Sequence, residues 1–81
     1  MNFCIVQGKI VSDIEFEFII GDKHRKSIVY FECELSNKCI IRVCSYNEMA
    51  DYMYRNLKID MFVIVLGYIT NDKIEVDEIY I

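Results

Sequence analysis

The chain has 81 residues, 54% of them hydrophobic, and a formal net charge of −4 at pH 7. This length suits one domain with a modest core, and the hydrophobic content excludes a disordered chain. No apolar run is long enough to span a membrane, and no basic region with an apolar core opens the chain. We therefore expect one cytoplasmic domain, residues 1–81, with no membrane partner.

The first predicted strand, Phe3–Val11, carries a glycine in its middle. Gly8 is costly there unless a bulge or sharp bend lets one long strand serve both sides of a barrel. The two faces of this strand are Cys4, Val6, Gly8 and Ile10 on one side, and Phe3, Ile5, Gln7 and Lys9 on the other. After a kink at Ser12–Asp13, the segment Glu15–Ile20 continues extended, with its phenylalanines alternating against its glutamates.

A turn and a second strand follow. Gly21 can adopt the positive φ that a turn at residues 21–24 needs. The second strand is Ser27–Leu35, and its inward-facing residues are predicted to be Val29, Phe31, Cys33 and Leu35. A tight hairpin at Ser36–Lys38 leads into a third strand, Cys39–Tyr46, which is rich in β-branched residues.

The periodicity then changes to that of a helix. Met49, Met53 and Leu57 recur every four residues and share one helical face. Asn47 stands just before this run and is expected to cap the helix with its side-chain oxygen. A helix of roughly three turns is not stable alone in water, so it must pack on an apolar surface, which we expect the flanking strands to supply.

Two more strands complete the chain, Phe62–Ile69 and Lys73–Ile81, with Gly67 near the end of the former. In the latter the apolar period slips, and a bulge at Asp77–Glu78 would keep four residues on the core face: Ile74, Val76, Ile79 and Ile81. One helix between the third and fourth of five strands is the element order of an all-β OB-fold. In that fold, a five-stranded Greek-key barrel, the short α-helix plugs one end.

Five segments in this order resemble bacterial single-stranded DNA-binding proteins. The segments are Gly8–Asp13, Ile28–Cys33, Arg42–Asp51, Leu57–Gly67 and Ile74–Ile79. The first resembles the family's G-R/K-I/L-x-x-D opening and the third its R-V-V-x-F-G-K-L-A-E segment. The resemblance implies a tail-less, shortened OB-fold relative. Such a protein would bind single-stranded nucleic acid, ssDNA rather than RNA, without strong sequence preference, in DNA replication or repair.

Other positions differ from the family. Ile40 stands where the family has a base-stacking tryptophan, and Glu17 and Glu48 stand at basic positions. These differences and the acidic balance favour an alternative function, a protein-interaction OB module that has lost nucleic-acid binding. Both hypotheses stay open at this point.

Candidate nucleic-acid-binding residues follow from the outer face of the third strand and the basic turn. By the family comparison, Ile40, Arg42, Cys44 and Tyr46 face outward, so bases can stack on Tyr46 while Arg42 contacts phosphate. The full candidate set is Lys9, Lys23, Arg25, Lys26, Tyr30, Arg42, Tyr46 and Tyr68. Alternatively, Tyr46 shields the helix N-terminus, Arg42 pairs with Glu32 or Glu34, and the basic turn is only a solvated hairpin tip.

Enzymatic and metal sites are not indicated. The four cysteines fall in or beside predicted strands, which favours reduced thiols over a disulfide framework. His24 is the only histidine and no C-x-x-C motif occurs, so no zinc site is predicted. We expect no cofactor, no small-molecule substrate and no catalytic residue.

The resemblance implies that Val63, Val65 and Gly67 of the fourth strand point into the barrel, which leaves an apolar outer face, and Leu66 stands where the family usually has an acidic residue. A soluble monomer rarely leaves such a patch exposed, so we expect a homo-oligomer, a dimer at least. The resemblance implies a dimer or a tetramer, because in that family first strands pair across a dimer and dimers pair again. The candidate contacts are Phe3, Ile5, Phe62, Ile64 and Leu66, with Tyr68 on the same face. The alternative is that the helix or the long first strand covers this face within one chain.

Overall fold

The computed structural model describes residues 2–21 and 23–81 as six strands and one helix. The elements are β1 (Phe3–Ile10), β2 (Glu15–Phe18), β3 (Ser27–Leu35), β4 (Ile40–Tyr46), α1 (Asn47–Asn56), β5 (Phe62–Thr70) and β6 (Lys73–Tyr80). The predicted strand boundaries agree closely, except that the extended segment after the kink ends at Phe18 rather than Ile20. Phe18 itself is 78% exposed, whereas Phe16 packs against the core.

The strands close into a barrel. The sheet order is β1-β5-β6-β4-β3-β2, and an additional pairing of β1 with β3 joins the two sides into a closed five-stranded ring. β2 pairs with the first half of β3, and the end of β1 pairs with its second half, so β1 and β2 together act as one interrupted strand. This arrangement confirms the predicted OB-fold, with its helix between β4 and β5.

Gly8 lies where β1 passes from one side of the barrel to the other. It is opposite Val63 of β5 and Leu35 of β3. A Cβ atom at Gly8 would lie 2.5 Å from the carbonyl oxygen of Glu34 and 2.6 Å from Sγ of Cys33. The prediction that this glycine lets one strand serve two sides is therefore confirmed, because no side chain fits at the crossing point.

The bulge in β6 is also confirmed. Its pairing with β5 shifts register between Leu66 and Gly67, so that Asp77 has no residue opposite it. The bulge keeps Ile74 and Ile79 buried on the same side. The prediction that Ile81 also lies on the core face is wrong. Ile81 follows the end of β6 and is exposed, because it lies beyond the core.

The helix buries Ala50 and Met53 from its predicted apolar face, and Leu57 is buried just after its end. It packs against β3, β4 and β2. The expectation that both flanking strands supply its surface is therefore only half right, since β3 and β2 take the place of β5. Within the described part of the chain, no helix is long and apolar enough to cross a membrane.

Candidate nucleic-acid interface

The outer surfaces of β3, β4, β6 and β5 form one continuous face. In register across these strands, Tyr30 is opposite Cys44, Cys44 is opposite Glu75, and Glu75 is opposite Tyr68. In the neighbouring row, Arg42 is opposite Lys73. We call this surface the tyrosine face and define it by Tyr30, Arg42, Tyr46, Tyr68, Lys73 and Glu75.

Cys44 lies in the middle of the tyrosine face but is not exposed. Its side chain is almost completely buried, although Ile40 and Arg42 on the same side of β4 are exposed. In the neighbouring strand, Glu75 is opposite Cys44 and Lys73 is opposite Arg42, and both have longer side chains than the thiol. Cys44 therefore points outward as predicted, but its side chain is not exposed. Burial raises the pKa of its thiol.

The basic turn lies over the tyrosine face rather than apart from it. The guanidinium carbon of Arg25 is 4.2 Å from the ring centroid of Tyr46, which is a cation–π distance. A guanidinium nitrogen of Arg25 is also 3.6 Å from a carboxylate oxygen of Glu75. Arg25 therefore bridges Tyr46 at the end of β4 and Glu75 in β6.

Asn47 holds this turn in place. Its side-chain oxygen accepts a hydrogen bond from the backbone N–H of Lys26 at 2.7 Å, and its amide nitrogen donates to the carbonyl of His24 at 2.6 Å. The prediction that Asn47 caps α1 is wrong. The N-cap position is Tyr46, without a side-chain cap bond, and Asn47 is the first helical residue with a φ of 56°. Its amide is committed to the turn instead.

Tyr30 and Arg42 are adjacent on the tyrosine face. The guanidinium carbon of Arg42 is 5.5 Å from the ring centroid of Tyr30. The hydroxyl of Tyr30 donates to a carboxylate oxygen of Glu17 at 2.6 Å, and this bond raises the pKa of Tyr30. Glu32 is opposite Arg42 in register, but within residues 2–21 and 23–81 no carboxylate lies close enough to Arg42 to form an ion pair.

The remaining candidates are more scattered. Lys9 lies on the outer face of β1 with its ammonium 3.5 Å from Asp60, away from Tyr46. Tyr68 belongs to the tyrosine face but packs edge-on against Phe3 at 5.2 Å. The side chains of Lys23 and Lys26 are exposed in the turn. The sequence did not single out Lys73, because only the parallel pairing of β4 with β6 brings it beside Arg42.

All four cysteines are free, and they differ in exposure. Cys39 is exposed and Cys4 half-buried, whereas Cys33 and Cys44 are buried, which raises the pKa of each buried thiol. Among residues 2–21 and 23–81, no three His, Cys, Asp or Glu side chains come close enough to hold a metal ion.

Thiol reactivity should follow this order. With a thiol reagent such as dithionitrobenzoate at neutral pH, we expect Cys39 to react rapidly, and Cys33 and Cys44 to react only as the chain unfolds, because thiolate and access are both required. The variant Cys39→Ser should lack the rapid phase. Modification of Cys44 at the rate of Cys39 in the folded protein would contradict its burial beneath the tyrosine face.

No protein-family model and no curated protein matches this sequence. Solved structures do match. An SSB domain from Synechococcus sp. gives a TM-score of 0.83 at 16% identity, covering 99% of this chain and 94% of that one. The small single-stranded DNA-binding protein of Streptomyces coelicolor gives a TM-score of 0.82 at 15% identity, covering 99% of this chain and 94% of that one. The single-stranded DNA binding protein of Thermus aquaticus gives a TM-score of 0.84 at 16% identity, covering 99% of this chain and 39% of that one. The chain therefore has an SSB-like OB-fold.

Proposed function

We propose that this chain binds single-stranded nucleic acid, ssDNA in preference to RNA, on the tyrosine face, without enzymatic activity and with little sequence preference. The observation that carries the proposal is that three aromatic rings and three cations lie together: Tyr30, Tyr46 and Tyr68 with Arg25, Arg42 and Lys73. Guanidinium groups lie over the rings of Tyr30 and Tyr46. The likeness of the fold to single-stranded DNA-binding proteins supports it.

Aromatic rings and cations on one face supply the two interactions that this type of binding uses. Bases stack on rings whatever their identity, and cations along the same groove follow the phosphate backbone. The chain's net charge of −4 adds no long-range attraction. We therefore expect binding that depends on local contacts and weakens with salt in proportion to the few phosphates that these cations contact.

Replacing Tyr46 by alanine should weaken this binding. The loss of one base–aromatic stack, about 1–3 kcal/mol, corresponds to an affinity lower by roughly fivefold to a hundredfold. Fluorescence anisotropy of labelled oligo(dT), titrated with protein at low salt, measures the change. The matched control is Tyr52→Ala, which removes an exposed tyrosine from α1, away from the tyrosine face.

Two results of this titration would count against the proposal. If the parent protein shows no binding at tens of micromolar, the chain is not a nucleic-acid-binding protein under conditions that favour it. If Tyr46→Ala and Tyr52→Ala lower the affinity equally, binding does not use the tyrosine face.

The alternative function, a protein-interaction module that has lost nucleic-acid binding, is favoured by the net charge of −4 and by Ile40 in place of a stacking tryptophan. A separate surface is available for contact between copies of the chain. The outer faces of β1 and β5 expose Phe3, Ile5, Phe62 and Ile64 beside the half-buried Leu66, which we call the β1–β5 patch. Within one chain α1 does not cover this patch, since it packs against β3, β4 and β2. We propose that the patch joins copies of the chain into a homo-oligomer, a dimer at least.

A further inference from the structure

The ring of Tyr46 already has an intramolecular partner. The guanidinium of Arg25 lies 4.2 Å from the ring centroid, over the surface on which a base would stack. The same guanidinium is 3.6 Å from the carboxylate of Glu75, which is itself only partly exposed. In the free chain, Arg25, paired with Glu75, therefore covers the ring of Tyr46 on which a base would stack.

The position of Arg25 is determined by its neighbours in sequence as well as by its own side chain. The two hydrogen bonds of Asn47 go to His24 and Lys26, the residues on either side of Arg25. The backbone of the turn is thus attached to the start of α1. Arg25 can exchange one anionic partner for another by moving its side chain, without displacement of the turn.

We propose that Glu75 is a built-in competitor for nucleic-acid phosphate: its carboxylate holds Arg25 over Tyr46, and a bound strand replaces that carboxylate with a phosphate. The inference rests on the proposed function and adds a specificity-determining residue to it. Carboxylate and phosphate both accept hydrogen bonds from guanidinium, so the phosphate replaces the anionic partner of Arg25, while the base takes the place of the guanidinium on the ring of Tyr46. It also selects a ligand that brings both an anion and a stacking base, because an anion alone gains nothing at Tyr46.

This competition has two consequences for affinity. Because an exposed ion pair contributes little, removal of the carboxylate should tighten binding only by roughly twofold to fivefold. The salt dependence should change as well. In the parent, a phosphate that binds Arg25 releases a cation from the strand, but the freed carboxylate of Glu75 attracts a cation in turn, so this contact adds less to the salt dependence than it does without the carboxylate.

The variant Glu75→Gln tests the inference because it removes the charge and keeps the shape. With labelled oligo(dT), we expect tighter binding and a plot of log affinity against log salt that is steeper by up to about 0.7, the value for one phosphate contact on a single strand. The control is Glu78→Gln, which makes the same charge change in the same strand, on the part of β6 beyond the bulge. It should alter the salt slope less.

Equal effects of Glu75→Gln and Glu78→Gln would overturn the inference, because only net charge would then matter. So would an unchanged affinity and salt slope in Glu75→Gln, while the parent still binds; in that case the proposed function stands and the competitor role fails. Failure of the parent and both variants to bind would remove the proposed function itself, and the inference with it.

Discussion

Replacing Gly67 by alanine is expected to destabilise the barrel by at least about 3 kcal/mol, the upper end of the usual cost of overpacking. A Cβ atom at this position would overlap the carbonyl oxygen of Glu75 and lie 3.0 Å from a methyl group of Ile74. The first of these atoms belongs to the backbone of the neighbouring strand and cannot move aside without breaking the β5–β6 pairing. Valine at position 67, or at Gly8, should be still more damaging. Urea unfolding followed by circular dichroism measures the loss.

The matched control is Gly21→Ala. Gly21 has a φ of 93°, and nothing lies within 4 Å of the Cβ position, so only the backbone conformation is strained. Its expected cost is about 1–2 kcal/mol, the usual cost of a left-handed conformation for a residue with a side chain. If Gly67→Ala is as stable as Gly21→Ala, the close approach of β5 and β6 is not what requires glycine at position 67.

Glutamate at Ile5 or Leu66 is expected to convert an oligomer into monomers. These two residues are opposite each other in the β1–β5 pairing, and Ile5 is 65% exposed in the single chain. Burial of one unpaired carboxylate in an apolar contact costs far more than the contact gains, so even one substitution per copy should prevent association. Sedimentation equilibrium of the parent and of each variant measures the mass.

The control for this experiment is Ile20→Glu, which introduces the same charge at a residue that is 96% exposed outside the β1–β5 patch. It should leave the assembly intact. A parent protein that sediments as a 9.6 kDa monomer at high micromolar concentration would refute the proposed oligomer. If Ile20→Glu dissociates the oligomer as readily as Ile5→Glu does, the contact lies on another surface.

The strands of the barrel and the inward face of β3 could be predicted from the residue pattern alone, whereas the inward face of β5, which is apolar throughout, was predicted from the family resemblance. Alternation places Val29, Phe31 and Cys33 on one side of β3, and the structure buries all three. Burial on one face dictates this period, so a short stretch of sequence contains the whole signal. Gly8 was equally informative, since a residue without a side chain in mid-strand has few structural explanations.

The arrangement of the candidate site was decided by tertiary structure. Arg25, Tyr46 and Glu75 come from three separate parts of the chain, and only closure of the barrel, with β4 parallel to β6, brings them into contact. The partners of Asn47 also could not be predicted from the local sequence. By local sequence it is a good helix cap, but its amide bonds to the turn that precedes β3 instead. Local patterns determine which way a strand faces. Partners distant in sequence determine what each polar side chain binds, and in this chain they determine what lies over Tyr46.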